Sequence, residues 1–113
     1  GPYTFVLRAS SEVPKRLQHA KRRTIGIRVA EHPVARALLE AVGAPLTTTT
    51  LLLPGDEQVM TDPVEIRERI GREVDAVIDA GAGGLEPSTV IDLSHDAPVV
   101  VRHGAGDARV FEA

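Results

Sequence analysis

Hydrophobic and polar positions alternate almost from the first residue. In Tyr3–Ala9, Phe5 and Leu7 fall on one side and Thr4, Val6 and Arg8 on the other, a period of two that predicts a strand. Val13–Ala20 reads as a short helical turn, with Pro14 tolerated at its first position and Leu17 as its apolar anchor. A second strand is predicted over Thr24–Val29, where Ile25, Ile27 and Val29 oppose Thr24, Gly26 and Arg28. That register puts Thr24 and Arg28 on one face, with a glycine between them that leaves room for an approaching group.

The pattern then changes period. From Pro33 to Val42, the positions Val34, Leu38 and Val42 form one stripe, widened by Ala35, Leu39 and Ala41, which predicts a helix. His32 is its entry residue, Gly43 its C-cap, and Pro45 forbids continuation. Leu46–Leu53 is an unbroken run of threonines and leucines, whose adjacent β-branched residues predict a buried strand ending at the Pro54-Gly55 turn. Asp62-Pro63-Val64-Glu65 has the form of an N-cap followed by the first turn of a helix over Pro63–Arg72, with Ile66 and Ile70 facing inward. Val74–Asp79, Thr89–Leu93 and Pro98–Arg102 are three further predicted strands. Gly81-Ala82-Gly83-Gly84 is read as a loop, and His95-Asp96 as a turn. Six strands with two or three helices define an α/β (α+β) layer fold with a mixed twisted sheet.

Composition narrows this picture. A chain of 113 residues with no repeat and no dividing linker is predicted to be one domain over residues 1–113. The aromatics are Tyr3, Phe5 and Phe111 alone, so the expected core is aliphatic. The lack of cysteine excludes a disulfide scaffold, a Cys-ligated zinc and thiol catalysis. No apolar run approaches a membrane span and no basic-then-apolar leader opens the chain, so the expectation is a cytoplasmic protein without a membrane partner. The net charge of −3 hides an asymmetry. Residues 1–30 hold Arg8, Lys15, Arg16, Lys21, Arg22, Arg23 and Arg28 against Glu12 alone, and the remainder is strongly acidic. Such segregation produces a local positive field on an acidic chain.

Several residues bear chemistry, each with a plain alternative. Arg28 could offer its planar fork to a carboxylate or phosphate, or sit solvated in a salt bridge. Thr48 and Thr50 share a face of their predicted strand and could donate to a small polar ligand, or reflect β-propensity alone. Arg102 stands before His103-Gly104-Ala105-Gly106, where backbone amides could approach an anion, or where the chain simply turns. Lys15, Arg16, Lys21, Arg22 and Arg23 lie within nine residues without a carboxylate, enough to neutralise several RNA phosphates or to form an ordinary solvated face. No aromatic accompanies them, which argues against base stacking. His19, His32, His95 and His103 lack metal-ligand spacing, so no metal site of protein side chains is expected, and no Ser/His/Asp set supports a hydrolase.

Taken in order, GPYTFVL, TIGIRVAEHP, LLEAVGAPLTTTTLLLPG, STVIDL and VVVRHGAG resemble the YrdC/YciO family, with LLLPG closest to the YciO branch. The best-known members make threonylcarbamoyl-adenylate for tRNA modification, on a YrdC/RibB-like open-sheet fold. The resemblance implies an amino-terminal region of similar size with a Lys-x-Arg motif. It makes residues 1–113 the carboxy-terminal portion of a YrdC-like domain, with catalysis belonging to the intact parent. It assigns Thr24, Thr50 and Arg102 to ATP, and Arg28 and Thr48 to L-threonine. It further implies bicarbonate as co-substrate and magnesium carried by the ATP. As the alternative it implies a tRNA- or double-stranded-RNA-binding module without synthase activity, using Lys15, Arg16, Lys21, Arg22 and Arg23. A sheet edge left open by the absent region implies homo-oligomer pairing. Leu52 stands where the synthases place an asparagine, and Ala30 where proline usually follows.

Overall fold

The computed structural model describes residues 1–81, 83 and 86–112. Of the predicted Gly81–Gly84 loop, Ala82 and Gly84 lie outside the described residues. The chain divides into two compact units, one of Gly1–Glu31 with Glu86–Ala113 and one of His32–Leu85.

The first unit is a four-stranded mixed sheet. Its strands are β1 (Tyr3–Arg8), β2 (Thr24–Ile27), β3 (Thr89–Asp92) and β4 (Val99–Arg102), in the order β2-β1-β3-β4. β1 runs antiparallel to β2, with Phe5 opposite Ile27 and Leu7 opposite Ile25. It runs parallel to β3, with Tyr3 opposite Thr89 and Phe5 opposite Ile91. β3 and β4 are antiparallel, and β2 and β4 are the two edges.

Alternation sorts the side chains onto two faces. Tyr3, Phe5, Leu7, Ile25, Ile27, Thr89, Ile91 and Val100 share the apolar one. Phe111, in a short 3₁₀ turn over Arg109–Phe111, meets the rings of Tyr3 and Phe5 edge-on at centroid distances of 5.7 and 5.9 Å. Tyr3 and Phe5 stack at 5.8 Å. The buried apolar residues among those described, Met60, Ile91 and Ala108, are non-aromatic as expected, and the three aromatics gather in one half-buried cluster beside Ile91. Bulky rings fill the space between a narrow sheet and a single turn better than branched side chains do.

The same cluster explains Gly106, where a Cβ would stand 2.6 Å from the Tyr3 ring. Swinging that ring aside would break the hydrogen bond its hydroxyl donates to the Asp107 carbonyl at 3.0 Å.

In the second unit, α1 (Pro33–Val42) has its predicted span, and α2 (Pro63–Ile70) starts as predicted but stops two residues short of Arg72. His32 Nδ1 accepts from Val34 N–H at 3.1 Å, and Asp62 Oδ1 from Val64 N–H at 2.9 Å. Each acceptor satisfies an N–H that the helix itself leaves unpaired. Gly43 closes α1 in the left-handed region at φ 70. Ile66 and Ile70 are half-buried as expected, whereas Val34, Leu38 and Val42 remain exposed. Arg69 grips Asp56 in a two-pronged pair at 2.7 and 3.2 Å, tying α2 to the turn after Gly55.

Two predicted strands are not formed. Leu46–Leu53 is irregular, with Thr47, Thr48, Thr49 and Thr50 all exposed. Its backbone makes short-range links instead, Leu52 N–H to the Thr50 carbonyl and Met60 N–H to that of Leu51, both 3.1 Å. β-Propensity favours a strand only where a ladder partner lies alongside. Val74–Asp79 is likewise irregular and runs into an Asx turn, in which Asp79 Oδ1 accepts from Gly81 N–H at 2.9 Å. The predicted turn over Val13–Ala20 contracts to a 3₁₀ turn over Lys15–Leu17.

Gly106→Ala is expected to cost about 1–3 kcal/mol in urea denaturation, the range for overpacking a fitted site. A second outcome concerns Asp107, whose carboxyl is pulled down to about 2, first by the Arg109 side chain and then by the Arg109 N–H. NMR titration should find it there, and Arg109→Gln should return it towards the ordinary 3.8. With the folded value depressed, any stability from this contact is present above the ordinary carboxyl range and lost as pH falls through about 2.

Candidate functional site

The second face of the sheet is polar. Thr4, Val6 and Arg8 of β1 share it with Thr24 and Gly26 of β2 and with Val90 and Asp92 of β3. Arg102 joins them through an irregularity in β4. Asp92 pairs with Val99 and Ile91 with Val100, but Val90 pairs with Arg102, so Val101 is an extra residue. Regular alternation would put Arg102 among the apolar side chains. The bulge turns it to the polar face.

There Arg102 is held by the start of β3. Its Nε and Nη2 donate to the Ser88 carbonyl at 3.0 and 2.8 Å, and Nη2 reaches Ser88 Oγ at 3.2 Å. Ser88 Oγ in turn lies 2.6 Å from Thr4 Oγ1. Nη1 of Arg102 has no protein partner among the described residues.

Behind this network, the fully buried Thr89 hydroxyl donates to the Gly106 carbonyl at 2.6 Å and accepts from Gly104 N–H at 3.0 Å. Ala105 N–H donates to the Pro87 carbonyl at 2.9 Å. These amides, read from sequence as possible anion donors, are spent inside the fold. Gly104 is needed because a Cβ there would collide with the backbone of Pro87 and Ser88.

The other anticipated residues fall as follows. Thr24 is buried on the polar face, and its carbonyl accepts from His19 N–H at 2.8 Å. Gly26 is exposed, and a Cβ there would meet Thr4 Cγ2 at 3.5 Å, an ordinary contact, so this position is not closed to a side chain. Arg28 lies one residue beyond β2, exposed, its Nε 3.4 Å from the Gly1 carbonyl. Arg28 and Arg102 thus belong to opposite edges, about 14 Å apart at the strand spacing of a four-stranded sheet. Thr48 and Thr50 belong to the His32–Leu85 unit, in the exposed irregular segment, so the shared strand face expected for them is not present. Lys15, Arg16, Lys21, Arg22 and Arg23 are all exposed on the connection between β1 and β2.

Charge on the sheet unit favours an anion. Arg8 and Arg102 face outward from the polar side, with Arg28 at its rim, and the strand residues of that face include a single carboxylate, Asp92. Asp92 is already engaged: Ser94 donates to its Oδ1 through Oγ at 2.6 Å and through N–H at 2.8 Å. These bonds, chiefly the hydroxyl, lower its pKa, with His95 and Arg22 adding smaller attractions. Among the described residues no three His, Asp or Glu side chains gather to hold a metal ion. Sequence reasoning passed over Ser88 and Thr4, although the alternation of β1 had placed Thr4 on this face. Ser88 precedes β3 and carries no periodic signal.

Comparison with known proteins agrees with this architecture. The pattern of the Sua5/YciO/YrdC family, described as telomere recombination, matches residues 1–104. The chain belongs to that family. YciO of Escherichia coli K12 is 52% identical over 111 residues, covering 98% of this chain and 54% of that protein. The crystal structure of E. coli YciO superposes with a TM-score of 0.90. A Sua5 variant from P. abyssi superposes with a TM-score of 0.86 at 29% identity, covering 99% of this chain and 34% of that one. A threonylcarbamoyl-AMP synthase of Halorhodospira halophila is 37% identical over 91 residues, covering 80% of this chain and 47% of that protein. The chain spans about half the length of the curated relatives it matches. Among the described residues no helix is long and apolar enough to cross a membrane.

Thr89→Val keeps the side-chain shape and leaves the Gly106 carbonyl and Gly104 N–H without their partner. Urea denaturation should show a loss of about 1–3 kcal/mol, the cost of orphaned buried polar groups. Amide exchange at Gly104 should accelerate in parallel.

Proposed function

We propose that the intact protein binds a nucleotide together with a small amino acid, in the manner of a threonylcarbamoyl-AMP synthase. The observation that carries this reading is the sheet's polar face, where the bulged Arg102 is braced by Ser88 and Thr4 and keeps one guanidinium nitrogen without a protein partner among the described residues. An arginine fixed by its carbonyl contacts presents a charge-assisted donor with little entropy left to lose, which suits a phosphate. Thr24 lines the same face on the nucleotide side, and Arg28 at the rim suits the α-carboxylate of threonine. Family membership and the relatives named as synthases support the assignment.

The chemistry asks little of acid or base groups. The threonine amine captures carbon dioxide, or bicarbonate with loss of water, to give a carbamate. A carbamate oxygen then attacks the α-phosphorus of ATP, the bond to the bridging oxygen breaks, and pyrophosphate leaves. Arginines lower the cost of bringing carboxylate, carbamate and phosphates together, and positioning supplies much of the rest. Magnesium enters with ATP as part of the substrate.

Calorimetric titration of the full-length protein with ATP and with L-threonine should give heat for each. Arg102→Gln is expected to weaken ATP by about 10–100-fold, matching one lost charged hydrogen bond, and to spare threonine. Arg28→Gln should do the reverse. Heat from neither ligand would remove the synthase reading.

A further inference from the structure

The connection between β1 and β2, residues 9–23, carries chemistry that the sheet face does not use. It surrounds an open cavity of about 710 Å³, whose wall includes Ser10, Ser11, Lys15, Gln18, His19 and Arg23. Among the described residues no carboxylate lines it. A solvent molecule takes up about 30 Å³, so there is room for an anion and the group that carries it.

The wall is built rather than loose. Gln18 Nε2 donates to the Val13 carbonyl at 2.8 Å, Arg23 N–H to the His19 carbonyl at 2.9 Å, and Ala9 N–H to the Arg23 carbonyl at 2.9 Å. His19 Nδ1 accepts from the N–H groups of Lys21 and Arg22 at 3.3 and 3.2 Å. A neutral imidazole accepting at Nδ1 carries its proton on Nε2, so its other edge is a donor.

Arg23 is the residue that asks for an explanation. It holds φ at 52, in the left-handed region, and is the one non-glycine residue described there. Arginine is strained in that conformation and glycine is not. The turn's backbone bonds would be satisfied equally by glycine. An arginine at this position adds only its side chain, and Arg23 is among the residues that line the cavity, as is Lys15.

We propose that this cavity is a phosphate-anion site, with the Lys15 ammonium and Arg23 guanidinium supplying charge. The Ser10 and Ser11 hydroxyls and the His19 Nε2–H are the further donors. Lys21, Arg22 and Arg16, exposed on the same connection, extend the positive field around it. The recognised chemistry is a tetrahedral phosphate oxyanion, carried by a free phosphate or a small phosphomonoester. The proposal is independent of the nucleotide reading of the sheet face, and its failure would leave the ATP and threonine titrations as they stand.

The test is a ¹H–¹⁵N titration of the full-length protein with sodium phosphate, against sodium chloride at matched ionic strength. Phosphate should shift amides within residues 10–23 and chloride should not. Lys15→Gln and Arg23→Gly should each weaken phosphate at least five-fold. Arg23→Gly should not lower the melting temperature, since glycine relaxes the left-handed position, so its loss of binding reads charge and not unfolding. Anisotropy with a short RNA duplex over a salt series identifies the source. If the duplex loses about one unit of salt slope per cation removed, these cations read RNA backbone and the small-phosphate site is overturned. If the duplex is indifferent to both substitutions while phosphate is not, the ligand is a free phosphate. Chloride reproducing the phosphate shifts, or both variants binding phosphate as tightly as the parent, overturns the proposal.

Discussion

The sheet unit depends on one buried hydroxyl. Thr89 is wholly shielded from water, and its Oγ1 both donates and accepts, to Gly106 and from Gly104. A polar atom so deep is tolerable only when both capacities are met, because an orphan costs as much as several ordinary contacts supply. Meeting them fixes the path of residues 103–107 across β3. That path needs glycine where it passes Pro87 and Ser88, and again where it passes the Tyr3 ring. It also carries the chain to Phe111, whose ring completes the aromatic cluster. A polar requirement at one position thereby organises the apolar packing around it.

The opposite face shows how a small irregularity changes what a strand presents. Without the extra residue at Val101, β4 would offer Arg102 to the hydrophobic side, where a guanidinium has no suitable partners. With it, the same arginine joins Thr4 and Ser88 among polar groups. Bulges commonly re-aim a side chain near a functional surface, and here the displaced residue is the one on which the ligand assignment rests.

Local signals were the legible ones. Asp62 and His32 cap their helices, Gly43 ends α1 in the left-handed region, and the four strands of the sheet fall within predicted strand segments, two of them read from period-two alternation. These features depend on neighbours within a few positions, so a single sequence contains them. Leu46–Leu53 and Val74–Asp79 were misread because composition reports willingness to extend and says nothing of a partner strand. The Val101 bulge was invisible for a related reason: register is a property of two strands, and only one is present in any window. Thr24 and Arg102 were named through resemblance, and both lie on the polar face of the sheet. Ser88 and Thr4, which brace Arg102, were not singled out, since a serine before a strand and a threonine within one look ordinary until their oxygens are found 2.6 Å apart.

The parallel contact between β1 and β3 has a temporal side. Tyr3–Arg8 can pair with Thr24–Ile27 as a hairpin soon after both leave the ribosome, but its other neighbour is Thr89–Asp92, more than eighty positions later. During synthesis of the intervening chain, the inner flank of β1 has unpaired amides and carbonyls along its length. A nascent protein of this design must keep that flank from adventitious pairing until β3 emerges, which places the most vulnerable moment of its biogenesis before the sheet's centre exists.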